Sequence, residues 1–509
     1  MALNSISFTL ASGGYGTPIP GSDYISGALI YNASAPSGMT LGTSKALFGI
    51  TDAEAVGILA DYNDETQATG NLAITLGTTG DKITLKVVEP LINGGTVTVN
   101  LGTYTVLSTD TTSTILATSL SAFINLGTPS HGYSATHSTT NVVLKARKSL
   151  GQSLNSGTPI VDTIVGTTAI VITQFTGGVA SKQAIWHYQI SEYFRLQPSG
   201  KLWLAFFAVP STYDFTELHT MQKQTGGEIN QFGVFSSNGT STANITADLG
   251  AIQATCVTMF NEYMPAVVVY APNIFAISDL STLLNLRLNT DNYVSLVIGQ
   301  DGTGLGAKLS FTSGSSVPAW GACLGTVSLA KVENDIANVG KFNISNGSED
   351  AVPAFSNGSL YNSISTGLAN QLDTFGYIFL RTITGKTGSY WNDSHSCIAV
   401  TSPYSYIERN RVINKAQRIT YTALVPFENS DLNLNSDGTL TFSTINQFKS
   451  ALIPSFNQMV ANGEISAYKI NIDPKQNVLA NSTIAVNINI VGVGIARFIN
   501  VTLGYSLSV

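Results

Sequence analysis

The chain has 509 residues, of which 43% are apolar and only 11% are charged, whereas about 25% are charged in ordinary soluble domains. Ser, Thr, Asn and Gly replace the missing charge, a composition typical of β-rich assemblies whose surfaces are covered by other subunits. The net charge of −7 disfavours wrapping of nucleic acid, and three widely spaced cysteines (Cys256, Cys323, Cys397) indicate buried thiols rather than disulfides or a zinc site.

The first predicted element is a short strand near the N-terminus. Ile6, Phe8 and Leu10 alternate with polar residues, which is the period of a strand with one buried face. The stretch "ASGGYGTPIPGS" then predicts a flexible linker, so residues 1–22 are assigned to a strand arm and its linker. We expect no secretory signal, because no basic region or long apolar run is present, and no membrane span.

The middle of the chain predicts an α/β core that is interrupted by a β-rich insertion. Residues 23–70 contain the strand-like "YISGALIYN" and the helical "ITDAEAVGI". Residues 71–180 carry short β runs at roughly ten-residue spacing, which predicts an inserted outer domain of sandwich or barrel type. Residues 181–400 alternate helices with apolar strands and predict the rest of the core. The predicted fold class is therefore α/β (α+β) and multidomain.

Residues 401–509 predict a C-terminal domain of two helices and several strands that ends in a second strand arm. Its last stretch alternates strictly, with polar residues between the apolar ones, which are Ile499, Val501, Leu503, Tyr505 and Leu507. Terminal residues are usually disordered unless something ties them down. We therefore expect this strand to pair with a sheet.

Two motifs suggest ligand sites, but their spacing favours plainer interpretations. "GQDGTGLGAK" is rich in glycine, yet it lacks both the G-x-G-x-x-G and the G-K-[ST] pattern, so a turn is favoured over a nucleotide site. "HGYSATH" contains two histidines without the spacing or the companions of a metal site. We predict no cofactor and no metal.

The segment "NDSHSC" places Asp393, Ser394, His395 and Cys397 together, as nucleophilic catalysis would require. No G-x-S-x-G elbow surrounds Ser394, and catalytic triads are assembled in space rather than in sequence. A polar turn is favoured over a catalytic site, and we assign no catalytic residue.

"ERNRVINKAQR" is the one local concentration of basic residues. On a helix, Arg411, Lys415 and Arg418 share a face because they follow the i, i+4, i+7 pattern. Two interpretations remain open: a solvated helix face, or a docking surface for an acidic protein partner.

The C-terminal part of the chain resembles contractile tail sheath proteins of bacteriophages and related injection systems. The matching features are "DSHSCIAVTSPYSYIERNRVINKAQR", a "VPF" loop, a long helix that closes on "NGEI", a strand that ends in "IDP" and two terminal strands. Upstream, "WHYQISEYFRLQPSGKLWLAF" and "GTVSLAKVENDIANVGKFN" resemble the sheath core. The β insertion resembles decorative modules of phage tail proteins.

This resemblance implies a structural subunit that stacks in six-fold rings around an inner tube and contracts to drive the tube through a cell envelope. The implied partners are neighbouring subunits, the tube protein, and baseplate and tail terminator proteins, without direct nucleic-acid contact or membrane insertion. The implied location is the virion tail, assembled in the host cytoplasm. Both strand arms would join neighbouring subunits, and Arg411, Lys415 and Arg418 become candidates for a tube-facing surface.

Two other classes remain as alternatives. A surface or S-layer-like structural protein would also suit the Ser/Thr/Asn-rich β content. A hydrolase with its site around Ser394 is disfavoured by the scarcity of histidines and carboxylates.

Overall fold

The structure is a computed structural model, and it describes residues 23–92, 94–345 and 347–505. The predicted N-terminal strand with Ile6, Phe8 and Leu10 lies outside the described residues, as does Leu507. No helix in the described ranges is both long and apolar enough to cross a membrane.

The first half of the chain is mostly β structure. Its elements are β1 (Ile25–Tyr31), β2 (Ser44–Leu47), α1 (Ile50–Ala55), β3 (Thr69–Thr75), β4 (Lys82–Pro90), β5 (Thr96–Thr105), α2 (Ser113–Leu126), α3 (Thr128–His131), β6 (Ser134–Ser138), β7 (Asn141–Lys145), β8 (Ile160–Val165) and β9 (Ala169–Thr176).

Helices and short strands alternate in the next part. They are α4 (Lys182–Leu196), β10 (Lys201–Phe207), α5 (Thr216–Gln224), β11 (Gln231–Ser236), α6 (Thr242–Asn261), β12 (Val267–Pro272), β13 (Thr290–Asp291), β14 (Val294–Val297), β15 (Gly299–Asp301), α7 (Leu305–Ser313), α8 (Trp320–Leu329), β16 (Pro353–Phe355), α9 (Thr366–Thr374), β17 (Tyr377–Ile378), β18 (Leu380–Arg381), β19 (Tyr390–Trp391) and β20 (Cys397–Ile398).

The last elements are two long helices and a hairpin. They are α10 (Ile407–Leu424), α11 (Phe442–Ala461), β21 (Ala467–Asn471), α12 (Val478–Asn481) and β22 (Asn487–Val491).

A seven-stranded sheet in the order β17-β14-β12-β11-β1-β10-β2 forms the centre of the molecule. Its strands pair in parallel except at the β2 edge, which is antiparallel. Parallel sheets are covered on both faces, and this explains why every residue of β12 is buried. Ala28 packs in a cluster with α4 and α8, whereas the next residue, Leu29, packs in a cluster with α6 on the opposite face.

Two antiparallel sheets, β6-β7-β3-β9 and β5-β4-β8, enclose a separate hydrophobic cluster with α2. Leu72, Val87 and Leu120 lie at its centre and are fully or almost fully buried. Helix α2 begins where Thr112 accepts a hydrogen bond from the Ile115 N–H at 3.2 Å, a side-chain N-cap. The division of the chain into domains at residues 70, 180 and 400 stays a prediction.

Two neighbouring carboxylates fix this β-rich segment to the central sheet and its helices. Glu65 accepts the backbone N–H groups of Ser149 and Gly151 at 2.6 and 2.7 Å. Asp64 accepts the N–H of Lys182 at 2.9 Å and so satisfies the first turn of α4. An isolated bridge between Thr66 and Val179 closes the segment at its base.

Helices α10 and α11 pack together under the β21–β22 hairpin. The cluster between them contains Val412, Leu452 and Phe456, with Ile488 and Ile490 of β22 against it. Each strand of this hairpin has one strand partner in the described part of the chain.

The mixed α/β architecture predicted from the sequence is confirmed. Residues 492–505 belong to no sheet of the described part of the chain, and the strand predicted for the end of the chain stays a prediction.

Gly27 gives a test of the packing in the central sheet. A Cβ at Gly27 would lie 2.5 Å from two ring carbons of Phe232, closer than any real contact. We expect Gly27→Ala to lower the free energy of unfolding by about 1–3 kcal/mol through overpacking, measured by urea denaturation.

The matched control is Gly250→Ala on the exposed face of α6, where a Cβ meets no atom within 4 Å. Helix propensity predicts that this change stabilises the protein by roughly 0.5–1 kcal/mol. Equal effects of the two substitutions would contradict the packing at Gly27.

Candidate functional site: the anchors of the two terminal segments

The three cations predicted to form an exposed docking face are instead buried within the chain. Arg411 and Arg418 are 4% and 5% exposed, and the Lys415 side chain is 12% exposed. The interpretation of Arg411, Lys415 and Arg418 as a solvated or tube-facing surface is therefore corrected. They do share a helix face, as predicted, but that face is turned into the protein.

Arg411 and Lys415 hold the residue that follows the N-terminal segment. The Lys415 Nζ donates to the Asp23 carboxylate at 2.6 Å and to Glu464 at 2.7 Å. Arg411 donates to the backbone carbonyl of Asp23 at 3.3 Å and to the carbonyl of Ala330 at 3.0 Å. We call Asp23, Arg411 and Lys415 the N-terminal anchor.

Arg418 binds the loops that lead into two strands of the central sheet. Its guanidinium donates to the carbonyls of Gly227, of Ile229 at 2.8 Å and of Pro265 at 2.6 Å. These residues precede β11 and β12, and Asp23 precedes β1. Helix α10 thus lies across the amino ends of three neighbouring parallel strands.

Arg497 holds the root of the C-terminal segment through three carboxylates. It donates to Glu408 at 2.8 Å, to Asp335 at 2.9 Å and to Asp393 at 3.0 Å. Its guanidinium carbon also lies 3.5 Å from the centroid of the Tyr406 ring, a cation–π contact. We call Arg497, Asp335, Asp393 and Glu408 the C-terminal anchor.

The "NDSHSC" segment contributes to this anchor. The Ser394 hydroxyl, which is fully buried, donates to Glu408 at 2.6 Å and accepts from Arg497 at 3.2 Å. His395 accepts from Arg287 through Nδ1, so its Nε2 carries the proton and donates to Asp373 at 3.1 Å. The segment is a buried polar turn whose groups are used in holding the structure together.

The charge balance of the C-terminal anchor depends on one cation. Burial, together with the carboxylates of Glu408 and Asp393, raises the pKa of Asp335 to about 7, and Arg497 opposes that shift. Burial alone would lower the pKa of Arg497, but the three carboxylates outweigh burial and raise it above its ordinary value.

Sequence reasoning missed Arg497, although a signal for it was present. It is the one charged residue between Lys475 and the end of the sequence. A lone arginine in a long uncharged stretch indicates that its guanidinium pairs with a specific carboxylate elsewhere in the fold, since this stretch contains no Asp or Glu.

Beyond Arg497 the predicted arm residues project from the protein. Ile499, Val501 and Leu503 are 80%, 72% and 91% exposed, and Tyr505 is fully exposed. They make no strand pairing within the described chain. The structure therefore shows an apolar segment whose root is fixed and whose alternating side chains are uncovered.

In the glycine-rich loop, carboxylates of the chain itself accept the backbone N–H groups. Asp301 accepts the N–H groups of Gly304 and Gly306, each at 3.1 Å, and Glu349 accepts that of Leu305 at 3.2 Å. Backbone N–H groups at this position are what a phosphate would need. In the described ranges, no group of three or more His, Cys, Asp or Glu side chains is arranged to hold a metal ion.

Two family profiles match the sequence. The N-terminal domain of DUF2586 matches residues 3–395, and the C-terminal domain of DUF2586 matches residues 404–509. The chain belongs to the DUF2586 family. No curated protein matches this DUF2586 chain.

The DUF2586 chain is similar to solved sheath structures at low identity. The anti-feeding prophage helical sheath in its contracted state is 14% identical, with a TM-score of 0.44 over 63% of this chain and 81% of that one. The sheath tail protein of Listeria innocua is 11% identical, with a TM-score of 0.39 over 92% and 94% of the two chains. That of Desulfitobacterium hafniense is 12% identical, with a TM-score of 0.36 over 96% and 100%.

These structures are sheath proteins, the kind of protein that the sequence resembles.

The raised pKa of Asp335 predicts how stability depends on pH. A carboxyl group whose pKa is higher in the folded than in the unfolded state contributes stability at low pH, and this contribution is lost as pH rises. With a folded pKa of about 7 against an ordinary 3.8, we expect stability to fall between about pH 4 and pH 8, by at most about 4 kcal/mol. Urea denaturation at pH 4 and pH 8 measures this loss.

Asp335→Asn should reduce that loss, because the substitution removes the carboxyl group whose raised pKa causes it. Asp431→Asn, in an exposed loop, should leave it unchanged. An identical pH dependence in wild type and Asp335→Asn would contradict the electrostatics of the C-terminal anchor.

The buried face of α10 gives a second prediction. Arg418→Ala should lower the free energy of unfolding by about 3 kcal/mol, because it leaves buried carbonyls without donors. Arg409→Ala, on the exposed face of the same helix, loses the ring contact to Tyr406 and long hydrogen bonds, and should cost less than about 1 kcal/mol. Urea denaturation of both variants compares them, and a larger cost at Arg409 would reverse the assignment of the two faces.

Proposed function

We propose that this chain is a structural subunit of a contractile tail sheath. The observation that carries the proposal is the segment after Arg497: its root is clamped to the protein, its apolar side chains alternate, and no sheet of the described chain includes it. A segment held in this way is suited to join another chain. The printed names of the similar structures agree with the proposal.

The physical mode is strand addition to a sheet of a neighbouring subunit. Backbone hydrogen bonds would supply affinity, and the alternate side chains would fill pockets on the partner. Covering four exposed apolar side chains contributes roughly 1.5–3 kcal/mol for each. Such a contact gives assembly a strong driving force without any catalytic chemistry.

The β21–β22 hairpin is the sheet that we propose receives the arm of a neighbour. A two-stranded sheet is marginal on its own, and a third strand would stabilise it. A groove of about 510 Å³ runs beside β22, lined by residues that include Tyr263, Tyr421, Ile488 and Ile490. This apolar groove could take the side chains of an added strand.

A contact in which each chain gives an arm and receives another is head-to-tail, and such contacts build rings or helical arrays. We propose stacked six-fold rings around an inner tube, with baseplate and tail terminator proteins at the two ends. Contraction would release energy stored at assembly by moving to a lattice with more contact between subunits. Since the glycine-rich loop is filled by Asp301 and Glu349, this scheme uses no nucleotide at that position.

The proposed role is structural rather than enzymatic, and the proposed location is the virion tail, assembled in the host cytoplasm. Binding to the inner tube remains part of the proposal, but Arg411, Lys415 and Arg418 are not assigned to it.

Electron microscopy of the purified full chain tests the proposal. Tubes, rings or stacked discs are expected for a sheath subunit. Two-dimensional sheets would favour the surface-layer alternative, and particles that stay monodisperse at high concentration would overturn polymerisation.

The arm itself is tested by substitution. Val501→Asp with Leu503→Asp should abolish polymerisation, because two charges cannot be buried against a neighbour's sheet, while circular dichroism stays that of a folded protein. Deletion of residues 499–509 should act in the same way, as should Ile6→Asp with Phe8→Asp in the predicted N-terminal arm.

Phe442→Asp is the matched control, since Phe442 is 78% exposed but lies outside the arms. It should assemble like wild type. Normal polymers formed by the Val501/Leu503 variant would contradict the proposed strand addition.

A further inference from the structure

One helix holds the roots of both terminal segments. Glu408 in the first turn of α10 binds Arg497, and Lys415, seven residues later, binds Asp23. At 1.5 Å per residue these positions are about 10 Å apart along the helix axis. Arg411 lies between them and contacts the carbonyl of Asp23.

The two anchors share the electrostatic field of Arg411. Burial lowers the pKa of Arg411 to about 10, and the carboxylates of Asp23, Glu333 and Glu408 oppose that shift. Asp23 contacts Arg411 through its carbonyl, and Glu408 lies one turn before Arg411 on α10, so both residues are placed to stabilise the charge of Arg411. At the same time Glu408 is neutralised mainly by Arg497, its partner at 2.8 Å.

This arrangement sets up a competition. When Arg497 is seated, Glu408 is paired and Arg411 is available to Asp23. When Arg497 leaves, Glu408 is a buried carboxylate, 3% exposed, that keeps the hydrogen bond from Ser394 but has lost its cation. Arg411 lies one turn further along the same helix. A buried charge without its partner is strongly unfavourable. Glu408 therefore attracts the Arg411 guanidinium, and the contact of Arg411 with Asp23 weakens.

We propose that α10 couples the two anchors, so that seating of Arg497 in the C-terminal anchor strengthens the hold of the N-terminal anchor on Asp23, and removal of the Arg497 cation or of the Asp23 carboxylate loosens the other anchor. The helix can transmit this effect because Arg418 ties it to the loops before β11 and β12. The coupling itself does not depend on the proposed function. Its consequence does: subunits in an assembly would gain or lose their two arm contacts together.

Hydrogen exchange on the isolated full-length chain tests the coupling. Arg497→Gln should increase the exchange rate of the amides of residues 23–26 by about tenfold, within the range of ordinary coupling energies, while amides in the middle of β12 stay protected. Arg409→Gln is the matched control on the same helix, because Arg409 also lies over the Tyr406 ring without binding the carboxylates. Equal exchange of residues 23–26 in the two variants would overturn the proposal.

Coupling between two sites is reciprocal. Asp23→Asn should therefore increase exchange near residues 497–499 by a similar factor. An effect in one direction only would also overturn the proposal.

Glu408→Gln separates the charge competition from general destabilisation. It weakens the C-terminal anchor, but it removes the carboxylate that draws on Arg411, so residues 23–26 should stay as protected as in wild type. The double variant Glu408→Gln with Arg497→Gln should likewise regain protection there. If Glu408→Gln loosens residues 23–26 as much as Arg497→Gln does, the competition is wrong.

These measurements use the unassembled chain, whereas the arm substitutions measure polymerisation. Failure of the coupling would leave the sheath proposal standing, and failure of polymerisation would leave the coupling standing.

Discussion

The structure depends on pairing each buried charge with an opposite charge or a hydrogen-bond partner, in a chain of which only 11% of the residues are charged. Arg497 is the shared partner of three carboxylates, and Arg411 and Arg418 are satisfied mainly by backbone carbonyls. Breaking a buried pair costs far more than an exposed one, so these contacts fix where the terminal segments leave the protein. Electrostatics inside the chain therefore holds Asp23 and Arg497, the described residues at the roots of the two terminal segments.

Much of the fold could be predicted from sequence periodicity, because burial imposes it directly. The apolar run that became β12 is a local pattern with one physical cause, since a strand buried on both faces must be apolar throughout. The burial of the basic face of α10 could not be predicted in this way. Spacing shows that Arg411, Lys415 and Arg418 lie together, but not whether water or carbonyls surround them, and those carbonyls come from residues as distant as Gly227 and Ala330.

The site was less predictable than the fold because its members meet only in space. Asp335, Asp393, Glu408 and Arg497 come from four separate parts of the chain, and no motif connects them. The "NDSHSC" segment contains the residue types of a catalytic set, yet its Ser394 binds Glu408 and its Asp393 binds Arg497 within the C-terminal anchor. Residue types that suit catalysis also suit a buried polar network, and only geometry distinguishes the two.

The base of the β-rich segment has a consequence for how the segment is joined to the rest of the fold. Its start and finish are adjacent at the Thr66–Val179 bridge, beside the contacts of Asp64 and Glu65. The segment also contacts α7, where the Gln152 N–H donates to the Thr312 carbonyl at 2.9 Å and Lys308 donates to the Ser149 hydroxyl at 3.2 Å. A different insertion whose ends meet at the same separation would leave α1 and α4 in place, provided that it reproduces the contacts to α7.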